Sequence, residues 1–345
     1  MKGAPLSKAD ITDEGTPFIL YGELYTTYGE VTRSIKRRTD KIVEPQFYSR
    51  VGDVIMPTSG ETPEDIATAS CIMLPNVILA GDLLIYRTQK VDGRLVSFVV
   101  KNKVNKQISS VAQGKSVVHV RAEELSKVAI TYPSAAEQQK ILTMLELLED
   151  KIIKQRELIE RLKKYKRGVS NKIFSEADKW DQVGFLDVFS TVSDKPYQVT
   201  TSEYYEFGTY EVVDQGKNDI VGYNNDESKV FYTVPIIVYG DHTTVIKFRN
   251  TPFIVGGDGV KLLTTNTNNN LQYLYYALCQ YNVQPEGYKR HFSIVKNLNI
   301  PIPSIKEQQI IAETLATLDM KIQKESCLLE ILLTQKKAFL QKLFI

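Results

Sequence analysis

The sequence predicts an α+β chain: two mixed α/β domains separated by two long helices that form an antiparallel coiled coil, with pseudo-two-fold symmetry inside one polypeptide. Three observations carry this. Residues 133–174 recur at 303–344, every position shifted by 170 with no gap, and repetition at a fixed spacing constrains architecture more tightly than any local pattern. Both copies hold an apolar seam that advances by alternating steps of four and three. The stretches before and between them break into short strand-like runs separated by Gly, Pro and Thr.

Each long helix opens with a start signal. Ser134 with Glu137, and Ser304 with Glu307, form the S-x-x-E pattern of a capping box, in which hydroxyl and carboxylate satisfy N–H groups left open at a helix start. Pro133 and Pro303 just before them favour an extended entry. The first seam runs Ile141, Leu145, Leu148, Ile152, Ile159, Leu162, Val169, Ile173; the second Ile311, Leu315, Leu318, Ile322, Leu329, Leu332, Phe339, Leu343. This is the period of a coiled coil. The interruptions are shared as well, Gln155 matching Glu325 and Lys166 matching Lys336; polar seam positions cost stability and fix register. One such helix alone reads as an amphipathic element packed on its own domain, whereas two with matching interruptions read as packing on each other.

Composition narrows the classes. The chain has 345 residues, 43% hydrophobic and 24% charged, with 43 Lys+Arg against 41 Asp+Glu for a net charge of +2. Two or three domains fit this length, and so small an excess leaves nucleic-acid binding to the placement of charge. Cys71, Cys279 and Cys327 lie far apart without metal-ligand spacing, which suits a reducing compartment. The start MKGAPLSKADITDE lacks the apolar core of a signal peptide, and no apolar run is long enough to span a bilayer. A soluble, cytoplasmic protein with no membrane partner and no cofactor is expected.

In order, residues 1–132 form the first α/β domain, with strand-like runs at 17–21, 53–56, 82–86 and 95–101 and a short helix near 63–70. Residues 133–174 are the first helix, basic at its end (Arg161, Lys163, Lys164, Lys166, Arg167), as suits the negative end of the helix dipole. Residues 175–302 form the second domain, with runs at 210–213, 229–233, 235–239 and 245–248, and NTNNN at 266–270 ending in an N-cap for the helix that follows. Residues 303–345 hold the second helix. Gly208-Thr209-Tyr210 resembles Gly15-Thr16-Pro17, so the two domains read as divergent copies. A helix of about 40 residues is roughly 60 Å long. Antiparallel pairing brings the end of the first to the start of the second, where one compact domain can bridge them, and the expected form is a caliper.

The proline followed by Glu137-Gln138-Gln139, its repeat at Glu307-Gln308-Gln309, the repeated helices and the intervening variable domains resemble the DNA specificity subunits of type I restriction–modification systems. ILYGELYTTYGE at 19–30, VYGDHTTVIKF at 238–248, FIVGGDGVKLL at 253–263 and GYKRHF at 287–292 are similar to common recognition-domain segments of that family. The resemblance covers nearly the whole chain. It implies a non-catalytic subunit with two target-recognition domains, each reading one half of a split double-stranded DNA site, and with the helices as spacers. The implied partners are two modification (methyltransferase) subunits that methylate adenine in each half-site, together with motor-nuclease restriction subunits. Adenine methylation requires base flipping, and that pocket would belong to the partner. One departure is expected to matter: Trp180 to Phe207 precedes Gly208, while only Met1 to Glu14 precedes Gly15. The first domain is thus expected to lack a lead-in of about 14 residues, including the family's Trp-containing opening, and either it is completed differently or the reading frame begins late.

Base edges are read by Arg on guanine and by Asn or Gln on adenine, with hydroxyls and Lys/Arg positioning phosphates. In the first domain the candidates are Thr26, Thr27, Tyr28, Arg33, Lys36, Arg37 and Arg38, then Thr58, Ser59 and Gly60. An exposed basic loop beside a tyrosine-rich sheet reads the same way. In the second domain they are Asp241, His242, Thr243, Thr244, Lys247, Arg249 and Lys261, then Tyr288, Lys289, Arg290 and His291. Asp241 suits cytosine or a brace for His242, and His242 lacks the second group a catalytic base needs. Gly256 to Gly259 lacks the lysine and hydroxyl of a phosphate loop and reads as a tight turn. Glu137, Gln138, Gln139, Glu307, Gln308 and Gln309 are candidates for binding partner subunits, with capping as the plainer role of the glutamates. Two other classes stay open. A stand-alone DNA-modifying enzyme is disfavoured by the lack of an Asn-Pro-Pro-Tyr tetrapeptide, a P-loop or paired metal-binding carboxylates, and a coiled-coil scaffold would show no sequence preference on DNA.

Overall fold

A computed structural model of the chain describes residues 2–112, 118–287 and 289–344. The chain divides into two compact units, one of residues 1–155 with 328–345 and one of residues 156–327. Both borders fall inside the two long helices, Ala135–Phe174 and Ile305–Leu343. Each unit therefore comprises an α/β head and two helical segments from distant parts of the sequence.

In the first unit Thr16–Leu20 runs parallel to Ile78–Ala80 and antiparallel to Arg38–Thr39. A second sheet places Asp53–Pro57 between Ser70–Ile72 and Leu83–Tyr86, antiparallel to both. The second unit repeats the plan. Tyr210–Val213 runs parallel to Phe253–Gly256, and Ile236–Gly240 lies between Ile246–Arg249 and Val260–Thr264. Even the entry is shared: Ser7 with Asp10, and Thr200 with Glu203, form capping boxes on one-turn 3-10 helices, each five residues before the matching Gly15 or Gly208. The expected kinship of the two heads thus extends to their topology.

After the sheets each head adds an amphipathic helix, Gly93–Asn102 or Leu271–Tyr281, and a single turn, Ala122–Leu125 or Phe292–Val295. The first of these corrects a sequence expectation, because 95–101 was expected to be a strand. Its Val-rich composition favours strands by propensity, but Asp92 caps the start by accepting from Arg94 N at 2.9 Å. Seven of its ten residues are buried, so packing outweighs propensity. Two further expectations shrink: the helix near 63–70 is the turn Pro63–Ile66, and 229–233 contains only Val230–Phe231 as strand.

The seam residues are buried or half-buried throughout, with Leu145, Ile152, Ile159, Ile311 and Leu315 buried. The pairing is antiparallel in each unit. Lys166 Nζ lies 2.5 Å from Asp319 Oδ1 in the second unit, and Lys336 pairs with Glu149 in the first. Adding 170 to Glu149 gives Asp319, and adding it to Lys166 gives Lys336. The lysine interruption, Lys166 and its repeat Lys336, thus forms one ion pair, made once in each unit. In the second unit Tyr276 Oη donates to Asp319 Oδ2 at 2.8 Å. In the first, Lys336 also lies 3.5 Å from the buried Glu30, itself 3.2 Å from Lys101. Burial pushes the Glu30 carboxyl up, but Lys101 and then Lys336 more than offset it and hold it below the ordinary glutamate value.

Candidate nucleic-acid interface

In the second unit the loop after the central strand Ile236–Gly240 and the turn before Val260–Thr264 are tied together. Asp241 N donates to Gly259 O at 2.7 Å, and Gln215 bridges them by accepting from His242 N at 3.0 Å and donating to Asp258 O at 3.0 Å. Gly257 and Gly259 both take positive φ, conformations that glycine reaches without strain, so 256–259 is a tight turn. The chain also adopts φ 57° at Thr244, uncommon for a β-branched residue, and this sharpens the loop that lifts His242 and Thr243. Thr243 Oγ1 donates to Gln215 O.

Several sequence candidates are consumed by this framework. Asp241 is 4% exposed, its Oδ1 accepting from Phe292 N at 2.8 Å. His291 is 1% exposed. Its Nε2 accepts from Glu286 N at 2.9 Å, so Nδ1 carries the proton and faces Asp241 O at 3.1 Å. Lys247 is buried, with Nζ donating to Asp214 O at 2.9 Å and Asn218 O at 2.5 Å. Burial lowers its pKa, partly offset by Asp214 and Asp219. Arg249, also buried, pairs with Glu211 and lies 3.5 Å from Asp219. These cations hold the 214–219 loop in place. Thr244 is buried as well, whereas His242, Thr243 and Lys261 are half-exposed and Lys289 and Arg290 exposed. Tyr288 lies outside the described residues. The sequence reading missed Gln215, the residue that unites the loops, because a lone glutamine in a polar stretch carries no pattern.

In the first unit Thr26, Thr27 and Lys36 are exposed and Tyr28 is half-exposed, its Oη accepting from Lys36 N at 3.0 Å. Arg37 Nε donates to Glu23 Oε1 at 2.8 Å, and Arg38 Nη1 donates to Gly15 O at 2.9 Å. A cleft of about 750 Å³ runs between residues 20–26, which include the helical turn Glu23–Thr26, and Gly60-Glu61, with Arg37 on its wall. Arg33 stands apart from it, bound to Glu146 of the first long helix at 2.5 Å. Thr58 is half-exposed, while Ser59 and Gly60 are buried. Ser59 Oγ donates to Asp82 Oδ2 at 2.8 Å and lies 2.9 Å from His119 Nδ1. The carboxylate therefore faces the serine and not the histidine, which is the wrong order for a nucleophilic triad.

At the helix starts Glu137 and Glu307 close the expected caps, each accepting from the backbone N and Oγ of its serine. Those hydrogen bonds hold both carboxyls below the ordinary value. The middle glutamines turn inward. Gln138 Oε1 accepts from Asp92 N at 3.0 Å while Nε2 donates to Pro133 O at 3.0 Å. Gln308 Oε1 accepts from Asn270 N at 2.9 Å, with Nε2 donating to Asn269 Oδ1 at 2.8 Å and Pro303 O at 3.0 Å. Asp92 and Asn270 are the N-caps of Gly93–Asn102 and Leu271–Tyr281, so each motif pins the helix of its own head. Gln139 and Gln309 stay exposed; Gln309 also accepts from Asn270 Nδ2 at 2.8 Å.

Two heads of one topology, each locked to a long helix by a repeated glutamine and carrying loops braced by internal ion pairs, define a duplicated, loop-presenting architecture. Residues 85–164 and 177–332, more than half of the chain, match the model of the type I restriction modification DNA specificity domain. The chain belongs to that family. It is 32% identical over 117 residues to the type I restriction enzyme EcoR124I/EcoR124II specificity subunit of Escherichia coli, a match spanning 31% of this chain and 28% of that protein. The fold is similar to that of the type I restriction–modification S subunit from M. genitalium, with a TM-score of 0.69 at 18% identity over 100% of this chain and 93% of the other. A chain from a structural study of assembly and conformational transition in the type I R-M system gives a TM-score of 0.53 at 16% identity, covering 99% and 94%. Among the described residues no helix is long and apolar enough to cross a membrane, and no cluster of His, Cys, Asp and Glu could hold a metal ion.

Proposed function

We propose that the chain is the non-catalytic DNA-reading subunit of a type I restriction–modification complex. Residues 1–132 and 175–302 act as target-recognition domains, each reading one half of a split double-stranded site, and residues 133–174 and 303–345 set the spacer between halves. Two modification subunits dock on it and methylate adenine in each half-site, and motor-nuclease subunits join for restriction. The observation that supports this best is the duplication within a DNA-specificity family, since two related readers on one chain call for a two-part target.

Contacts with DNA fall to candidates that stay at least half-exposed, among them Thr26, Thr27, Tyr28, Lys36 and Thr58 in the first domain, and His242, Thr243, Lys261, Lys289 and Arg290 in the second. Glu137, Gln139, Glu307 and Gln309 are the exposed candidates for partner contact. Mapping methylated adenines in DNA exposed to this chain and its modification partner tests the reading. A split motif is expected, with one half changing when residues 175–302 are exchanged. Methylation at an unbroken motif, or a change in both halves, would overturn it.

A further inference from the structure

At the position that unites the second head's loops, the first head has a glycine. Gln215 stands seven residues after Gly208, and seven residues after the matching Gly15 stands Gly22. Gly22 has no side chain to bridge with, and it lines the cleft of about 750 Å³. A second difference follows from strand register. Arg38 opposes Pro17 and Asn224 opposes Tyr210, so Tyr223 stands in the second head where Arg37 stands in the first. The cleft is remote from the open edge of its sheet. Lys2 lies antiparallel beside Leu84, with the N-terminal direction toward Tyr86. The cleft lies past the other end of that strand, where a Cβ on Gly81 would stand 3.3 Å from Tyr21 Cδ1.

Arg37 is held from behind. Its Nε donates to Oε1 of the buried Glu23 at 2.8 Å, and Oε2 of that carboxylate accepts from Leu20 N at 3.1 Å. Both Nη groups are left without a hydrogen-bond partner among the described residues. Lys8 and Arg37 are matched on the cleft wall by Glu23 and Glu61, so the lining has no net charge. Phosphate is held by an excess of cations, and the exposed Glu61 repels it. A fixed guanidinium fork instead suits two acceptors in one plane. Guanine presents such a pair, O6 and N7, in the major groove, where a carboxylate accepts from N4 of cytosine.

We infer that Arg37 determines specificity in the first head: its two Nη groups read one guanine of the first half-site, and Glu61 accepts from N4 of the cytosine paired with it. Tyr21 and Tyr25 wall the cleft that receives this base-pair edge. Glu23 fixes the fork in place and cancels its charge, which leaves direction rather than attraction as what Arg37 contributes. The second head, with Gln215 and Tyr223 at the corresponding positions, has no such fork and reads its half-site with other groups. The inference rests on the DNA-reading function proposed above and assigns one base contact within it.

The test maps methylated adenines in a DNA library exposed to the full chain and its modification partner. The first half-site is the one that stays when residues 175–302 are exchanged. It should hold a fixed guanine whose preference falls about tenfold in Arg37→Lys, which keeps the charge and loses the fork, while the second half-site is unchanged. Gly22→Gln keeps the ion pair and fills the cleft, and should relax the same position. Gly22 has φ −65° and ψ −16°, open to any side chain, and a Cβ there would first meet Tyr25 Oη at 3.4 Å. With 7-deazaguanine at that position, which lacks the N7 acceptor, methylation by the parent should fall about tenfold and that by Arg37→Lys no further. A split motif without a fixed guanine in its first half, or a parent indifferent to 7-deazaguanine, would overturn the inference and leave the reading function standing. An Arg37→Lys effect spread equally over all sequences, the mark of a phosphate contact, would overturn it too. Absence of any split motif would overturn both.

Discussion

Replacing Gln308 by Ala tests whether the middle glutamine of each repeated motif is a clamp. The side chain is 0% exposed and makes three hydrogen bonds, to Asn270 N, Asn269 Oδ1 and Pro303 O. Each lost bond removes about 1 kcal/mol, and a buried N–H left without an acceptor adds about 1–3 kcal/mol. A total of about 4–6 kcal/mol follows in an alanine cavity that admits little water. Trp180, the one tryptophan of the chain, belongs to the second unit and packs on Phe174 at 6.1 Å, so its fluorescence in a urea titration reports that unit. The Gln308→Ala transition should shift to lower urea in this signal. Gln138→Ala, which loses two bonds in the first unit and orphans Asp92 N, should lower the circular-dichroism stability by about 3–5 kcal/mol and leave the Trp180 signal in place. A Gln308→Ala shift under about 0.5 kcal/mol, the size of an ordinary surface change, would refute the clamp.

A double-mutant cycle on Lys166 and Asp319, both only partly exposed, should give a coupling energy of about 1 kcal/mol; a value indistinguishable from zero would remove the repeated ion pair as a register device. Glu30 sits below its ordinary value of 4.5, so its contribution is present above that value and is lost as pH falls through the lowered one. Glu30→Gln should therefore destabilise the first unit at pH 7, with the difference from the parent closing under acid; a gap that stays constant with pH would contradict the assignment. Arg290→Ala should reduce the slope of log binding constant against log salt by about 0.9 on target DNA. Lys247→Met should instead lower unfolding stability and leave that slope alone, and an altered slope would show that Lys247 meets phosphate directly.

The helices were legible because a duplicated seam is redundant: eight apolar positions and two polar interruptions recur at one offset, and no local accident reproduces that. Strands such as Tyr210–Val213 and Ile236–Gly240 were legible from composition. Gly93–Asn102 was not, since Leu-Val-Ser-Phe-Val-Val has strand propensity and its helical state rests on Asp92 and on burial on nearly every face. The candidate site was legible as loops but not as side chains. Lys247 and Arg249 look like solvent-facing cations in sequence, yet the carboxylates that hold them (Glu211, Asp214, Asp219) stand some thirty residues earlier. Such pairings arise only once strands have been brought into register.

The glutamine at each helix start grips a main-chain amide, and the residue supplying it is Asp92 in one head and Asn270 in the other. A grip on backbone makes little demand on sequence. A chimera whose incoming head presents a helix N-cap amide at the same place is therefore expected to keep the joint. The second head adds side-chain bonds of its own, from Asn269 and Asn270, and the amide contact is the part that both joints share.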